Sequence, residues 1–392
     1  MRSSSSAVWL LAVQVIISKV FGAPVDTSPP LSDITKASLA FEQTMWAHGS
    51  VLTDPWYSVD KSTASAAPGI LLKVEKVTDA SLYTLPPATS LSRFIYQSQT
   101  FNALQGYVVV ATDYAGLGVS KDSSNANIPH EFLTAPSQAN DVFYAVQAAQ
   151  TAFPELSENF VITGHSQGGG VAWAAAQRQA VQPVHGYLGA VAIAPVTSVI
   201  GLPNPPATYD ATAIVPSIQL MFPVFKPSDI LTLDGIARLA LSQQVGGNTF
   251  TTLSIVEGYQ LTKPTWPQNP YVLKYQDIVR NGGKAISGPL LVIHGEADPV
   301  LDIKLTTAAV QQTASLFPKA SIEYHSVSGT SHNAALTSCQ WIWMDWIASR
   351  FQGITPAAGL QSEELTTPLP ESAYQIELNW WVAPATAPFE DP

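Results

Sequence analysis

Residues 159–180 dictate most of what this chain can become. NFVITGHS (159–166) is a short, mainly apolar run without polar alternation, the pattern of a strand buried on both faces. VAWAAAQRQA (171–180) is alanine-rich and reads as a helix. Only the glycine-rich GHSQGGG joins them, so the chain must turn from strand to helix almost at once, with Ser166 at the bend. A serine hydroxyl is a weak nucleophile that needs exposure and an adjacent base. The sharp turn supplies the exposure, and Gly164 and Gly168 on either side relieve its crowding. The Gln167 backbone N–H, at the helix N-terminus, can hold an oxyanion. The plain alternative is a glycine-rich phosphate loop. No Walker lysine follows, however, and the Rossmann glycine spacing is not met.

The rest of the chain keeps this alternation. Strands are expected at 71–77, 92–98, 106–113, 187–195, 288–295 and 320–327. A helix capped by Ser137 should carry Val142, Phe143 and Val146 on one face, and a tryptophan-rich helix should run over 335–351. The class is therefore α/β, a mainly parallel sheet with helices on both faces. Two segments break the pattern. Residues 196–287 hold no clear strand–helix unit and read as a cap or lid inserted over the C-terminal edge of the sheet. That leaves 23–195 and 288–353 as the two parts of the core. Residues 354–392 read as a proline-rich tail that wraps the surface.

Composition narrows the class of function. Of 392 residues, 46% are hydrophobic and only 12% charged, which excludes a disordered chain or a coiled coil. The net charge is −11 and no basic cluster is present, so nucleic acid is not an expected partner. Cys339 is the one cysteine, which precludes an internal disulfide or a cysteine zinc site. Residues 1–22 read as a secretory signal: Arg2 opens it, 7–17 is apolar apart from Gln14, and a cut falls ahead of Ala23. The expected location is extracellular. No later apolar run is long enough for a membrane helix.

A nucleophilic serine needs an acid and a histidine, which should follow it in that order. Asp298 lies in HGEADP, just past the 290–293 strand, with Glu296 and Asp302 as rivals. His332 lies in GTSHN, between the last strand and the final helix, where a general base belongs. His325 falls within a strand and reads as structural, and His165 packs beside the serine. His48, His130, His185 and His294 lack partners at metal-ligand spacing, so neither metal nor cofactor is expected.

GYVVVATDYAGLG, the SQANDV helix start, GHSQGGG and HGEADPV together resemble the α/β-hydrolase superfamily and, more narrowly, the fungal secretory lipase family. The resemblance spans most of 35–350. It implies a secreted serine lipase or esterase with a lid, acting on a lipid or other small ester, in transient contact with a lipid interface and without a protein partner. It carries Ser166, Asp298 and His332 over as the triad. The chain departs from the family pattern at one place. Members carry a further strand ending in His-Gly, whose loop gives the second oxyanion N–H. Here only 97–105 separate Tyr96 from Gly106, too few for another strand and helix. The central third strand is thus absent, which leaves a gap beside the strand before Ser166 or makes GYVVVATD shift sideways to pair with it. Tyr114, or the backbone near Ala115, then becomes the stand-in donor; His48-Gly49 lacks a strand to deliver it. Cys339 reads as the widow of a disulfide partner lost with the segment. Three alternatives stay open: an inactive member lacking part of the oxyanion hole, a binding protein using a capped apolar pocket, and an esterase or peptidase acting on a metabolite or peptide. Glu257 and Asp277 are available acids for a peptide amine.

Overall fold

The computed structural model describes residues 106–366 except 113, 117–123, 125, 127, 203–205 and 246–248, together with Ser32, Asp33, Lys36, Ala37 and Ala40. The leader expected at 1–22, His48-Gly49, the strands expected at 71–77 and 92–98, the link at 97–105 and the end of the tail lie outside the described residues.

Among the described residues, five parallel strands form the sheet, in the order β1 (Phe160–His165), β2 (Tyr187–Ile193), β3 (Leu290–Gly295), β4 (Ile322–Val327) and β5 (Leu360–Leu365). Spatial order follows chain order, so each crossover joins neighbouring strands. Thr163 pairs with Val191, Val191 with Leu291, and Leu291 with Glu323. Alternate residues of β2 feed opposite layers, as a two-sided sheet requires. Ala190 and Ala192 pack with α1 (Ala135–Ala152), α2 (Gln167–Val181) and α8 (Ile303–Leu316). Val191 and Ile193 pack with α9 (His332–Thr337) and α10 (Gln340–Phe351).

The insertion after β2 is helical: α3 (Pro206–Ala213), α4 (Val215–Met221), α5 (Leu233–Val245), α6 (Thr249–Val256) and α7 (Pro270–Val279). It builds its own apolar cluster around Ile214, Ile218, Ile230 and Tyr275, and draws Phe132 and Leu133 into it from the turn before α1. That turn is strained. Leu133 has φ 53°, in the left-handed region that a bulky side chain rarely adopts. It is held from the insertion side: the Tyr275 and Ser217 hydroxyls both donate to the Phe132 carbonyl, at 2.9 and 3.3 Å, and Thr134 Oγ1 lies 2.8 Å from the Tyr275 oxygen.

Several expectations need correction. Residues 106–112 form no strand, and the sideways pairing with β1 is not made; among the described residues β1 is the outer strand. A β-branched run becomes a strand only beside a partner edge. Here Tyr107 instead stacks on Phe351 of α10 at 5.0 Å, while Val108 and Val110 are 52% and 41% exposed. The final helix is two, α9 and α10, broken at Ser338-Cys339. Helix α1 starts at Ala135, with Thr134 rather than Ser137 at its cap and Pro136 in its first turn, where a missing N–H costs nothing. Part of the tail, Leu360–Leu365, pairs with β4 as an edge strand; Glu363 and Glu364 blunt that edge. Cys339 is fully buried among Leu336, Trp343 and other side chains beneath β2 and β3, and burial pushes its thiol up to about 11. It is a core residue, and a lost disulfide is not needed to explain it.

Candidate active site

Ser166 caps α2 with φ 56° and ψ −117°, a conformation costly for any residue with a Cβ. The surrounding backbone over-determines it. Its N–H donates to the Ile193 carbonyl at 2.9 Å, and its carbonyl accepts from Gly170 N at 3.0 Å and Val196 N at 3.1 Å. The glycines that make room are not quite those the sequence suggests. A Cβ on Gly164 would overlap the Gly168 carbonyl, and one on Gly169 would stand 2.6 Å from Ile193 O. A Cβ on Gly168 itself would meet nothing within 4 Å. The crowding is thus relieved by Gly164, Gly169 and Gly170, whose Cβ would stand 2.6 Å from Val196 O.

The acid and the histidine meet. Asp298 Oδ2 lies 2.7 Å from His332 Nδ1. Its other oxygen accepts the Val300 and Leu301 N–H groups at 2.8 and 2.9 Å, which fixes the carboxylate. Both rivals are elsewhere: Glu296 is exposed, and Asp302 caps α8 by accepting the Lys304 N–H at 2.9 Å. A second imidazole completes the site. His294 Nε2 stands 3.2 Å from Asp298 Oδ2 and 3.2 Å from the Leu301 carbonyl oxygen, with Nδ1 2.9 Å from Thr306 Oγ1. Since a carbonyl only accepts, Nε2 carries the hydrogen and points it at the carboxylate. Burial alone pushes Asp298 up, but hydrogen bonds from His294 and His332 outweigh it and hold the carboxyl below its usual range. An ionised Asp298 keeps the proton of His332 on Nδ1 and leaves Nε2 as a free base.

The His332 ring sits against His165, the residue before the serine, with centroids 4.5 Å apart. His165 Nε2 donates to the His332 carbonyl at 3.1 Å. Burial, joined by the neighbouring His332, pushes His165 down to about 3, so it stays neutral and structural. The structure therefore gathers Asp298, His332 and the Ser166 turn. The Ser166 hydroxyl makes no hydrogen bond to His332 here; such bonds commonly tighten only with substrate bound.

The stand-in oxyanion donors are placed differently from expectation. The Ala115 N–H donates to Asp141 Oδ2 at 3.0 Å and is already committed. The Tyr114 ring is buried in the cluster with Phe143 and Trp173, where burial, with Asp141 nearby, keeps its phenol protonated. The Gln167 N–H, in the first turn of α2, has no intrahelical acceptor to serve. Among the other histidines, His325 faces Glu363 at 3.6 Å, His185 faces Glu158 at 3.1 Å, and His130 Nδ1 lies 3.1 Å from the Ala115 carbonyl. Glu257 and Asp277 are both exposed. No group of three metal-binding side chains gathers among the described residues.

Two polar residues that the sequence did not mark, Asn281 of the insertion and Gln177 of α2, tie the insertion to the site. Asn281 Nδ2 donates to the carbonyls of Gly170 and Val196, at 2.9 and 3.1 Å. Its Oδ1 accepts from Gln177 of α2 at 2.9 Å, and the Gln177 oxygen accepts the Gly282 N–H at 3.2 Å. The segment after α7 is thereby pinned to the first turns of α2.

A family model for alpha/beta hydrolases matches residues 79–341. The chain belongs to the alpha/beta hydrolase family. This hydrolase is similar in structure to lipase A of Candida antarctica in its closed state, with 17% identity and a TM-score of 0.53 over 65% of this chain. It spans 61% of that lipase. It is also similar to a putative hydrolase of Legionella pneumophila, with 15% identity and a TM-score of 0.52 over 64% of this chain and 72% of that one. At such identities the likeness speaks for the fold. No curated protein matches the hydrolase in sequence.

Proposed function

We propose that this hydrolase is a secreted serine enzyme of the lipase or esterase kind that cleaves carboxylic esters through an acyl-enzyme. The observation that carries the reading is the strained Ser166 turn beside a buried Asp298–His332 pair whose tautomer leaves Nε2 basic. Ser166 attacks the ester carbonyl while His332 takes its proton, and the Gln167 N–H steadies the oxyanion. His332 then protonates the leaving alcohol. Water, deprotonated by His332, releases the acid and restores the serine. Asp298 steadies the imidazolium in both halves. The leader at residues 1–22 supports export, and the helical insertion supports a lid over the serine.

The test is labelling with a fluorophosphonate, alongside hydrolysis of short-chain esters. Wild type should be labelled, and Ser166→Ala should abolish labelling and lower turnover by about 10⁴-fold or more. Equal labelling of the two proteins would remove Ser166 from the mechanism. A folded wild type that is neither labelled nor active would favour the inactive member with an incomplete oxyanion hole.

A further inference from the structure

Next to the Ser166 turn lies a small open recess of about 10 Å³, room for a group the size of a water or a hydroxyl. Its walls include Leu133, Val196 and Val279, and three residues with polar side chains line it from three elements: Gln138 of α1, Gln167 of α2 and the half-exposed Arg280 after α7. Each brings a buried atom with no hydrogen-bond partner: Gln138 Oε1, Gln167 Nε2 and Arg280 Nε. Gln138 is 1% exposed, and its amide nitrogen is engaged by the Glu131 carbonyl at 3.2 Å, which fixes the oxygen as its open end. The Asp277 carboxylate stands 3.8 Å from Arg280 Nε, beyond hydrogen-bond reach. Buried polar atoms are nearly always satisfied, and three unsatisfied ones around one recess mark a place for a ligand.

The donor set specifies the group that fits. Gln138 Oε1 needs a donor, whereas Gln167 Nε2 and Arg280 Nε need an acceptor. A methylene answers none of them. A carboxylate would face the Gln138 oxygen, and an ammonium would face the Arg280 guanidinium. A hydroxyl does both jobs, donating to Gln138 while accepting from Gln167 and Arg280. Building on the ester-hydrolase reading above, we propose that this recess is a hydroxyl-binding subsite and that the preferred substrates are hydroxylated esters. The hydroxyl comes from a hydroxy acid or from the free hydroxyl of a partly acylated polyol.

A rate comparison among three small esters tests this: ethyl butyrate, glycol monobutyrate and ethyl β-hydroxybutyrate, followed by titration of released acid. Wild type should favour one hydroxylated ester over ethyl butyrate by about tenfold or more in kcat/KM. Preference for the glycol ester places the hydroxyl on the alcohol side; preference for the hydroxybutyrate places it on the acyl side. Gln138→Met and Arg280→Met should each pull that ratio toward one. They act from different elements, so one readable variant suffices if the other fails to fold. Hydrolysis of all three at equal rates, or a preference that survives both substitutions, overturns the subsite and leaves the recess as a seat for bound water. No hydrolysis of any of the three overturns the ester-hydrolase reading and the subsite with it.

Discussion

Alanine at three glycines of the GHSQGGG run should have three different effects. On Gly164 the new Cβ would collide with the backbone carbonyl of Gly168 across the turn, and backbone cannot swing away as a side chain can. Relief requires the turn to open until that contact reaches 3.0 Å, the floor for real Cβ contacts. Overpacking of this kind costs about 1–3 kcal/mol. The shift falls on Ser166, and a displacement near 1 Å at a reacting group costs about 100-fold in rate. On Gly169 the Cβ would lie 2.6 Å from Ile193 O and 3.0 Å from Pro195 Cα, again backbone, so a similar loss of stability follows. On Gly168 nothing lies within 4 Å, and the residue is helical. There alanine should stabilise, by up to about 1 kcal/mol through its better helix propensity. Thermal melts and ester turnover of the three variants decide the matter. Gly164→Ala and Gly169→Ala should melt several degrees lower, with Gly164→Ala also about 100-fold slower, and Gly168→Ala should melt at or above wild type. If Gly168→Ala is as damaging as Gly164→Ala, crowding at the turn is not why these glycines are there.

Relief of the Ser166 backbone should be visible as stability: Ser166→Gly should melt higher than Ser166→Ala by up to about 2 kcal/mol while both are inactive, which denaturant titration measures. His165 predicts an acid weakness. Its folded value near 3 lies below its ordinary 6.5, so between these pH values the unfolded chain binds a proton that the folded one refuses. The His165 contribution is fully present above pH 6.5 and falls by about 1.4 kcal/mol per pH unit below it. Asp298 adds a loss only below the usual carboxylate value of 3.8. Melting curves from neutral pH to about 5 should show the slope, to which His130, pushed down to about 4 by burial, adds with the same sign and Asp210, pushed up to about 7, with the opposite sign; His165→Phe should lower it by about 1.4 kcal/mol per pH unit. Asn281→Ala strips partners from two buried carbonyls and from Gln177, and should cost about 2–3 kcal/mol in a denaturant melt.

What could be read from the chain beforehand was local. The Ser166 turn announces itself because strand, glycines and helix are contiguous. Asp298 and His332 could be placed because each sits just beyond a strand whose apolar run is unambiguous. His294 is legible too: it lies four residues before Asp298, close enough along the chain for its imidazole to reach that carboxylate. Gln138 and Asn281 carried no such signal. Both are ordinary polar residues in sequence, and Asn281 meets Gly170 only across 111 positions of chain. The edge strand Leu360–Leu365 hides for a different reason. Its middle four residues are exposed, so it shows no apolar alternation. The run at 106–112 misleads in the other direction, since its valines favour a strand that has no partner edge beside it among the described residues.

The bonds that Tyr275 and Ser217 make to the Phe132 carbonyl, and those that Asn281 makes around Gly170, bear on how the molecule comes apart. The insertion has an apolar cluster of its own and could be mistaken for a separately melting module. Yet α4 and α7 grip the turn before α1, and the segment just after α7 grips the start of α2, so neither body can lose order without stripping partners from the other. Calorimetry should accordingly record one cooperative transition, with calorimetric and van't Hoff enthalpies in agreement. Any rearrangement that admits substrate must then leave both α4 and α7 seated, which assigns the moving part to α5 and α6.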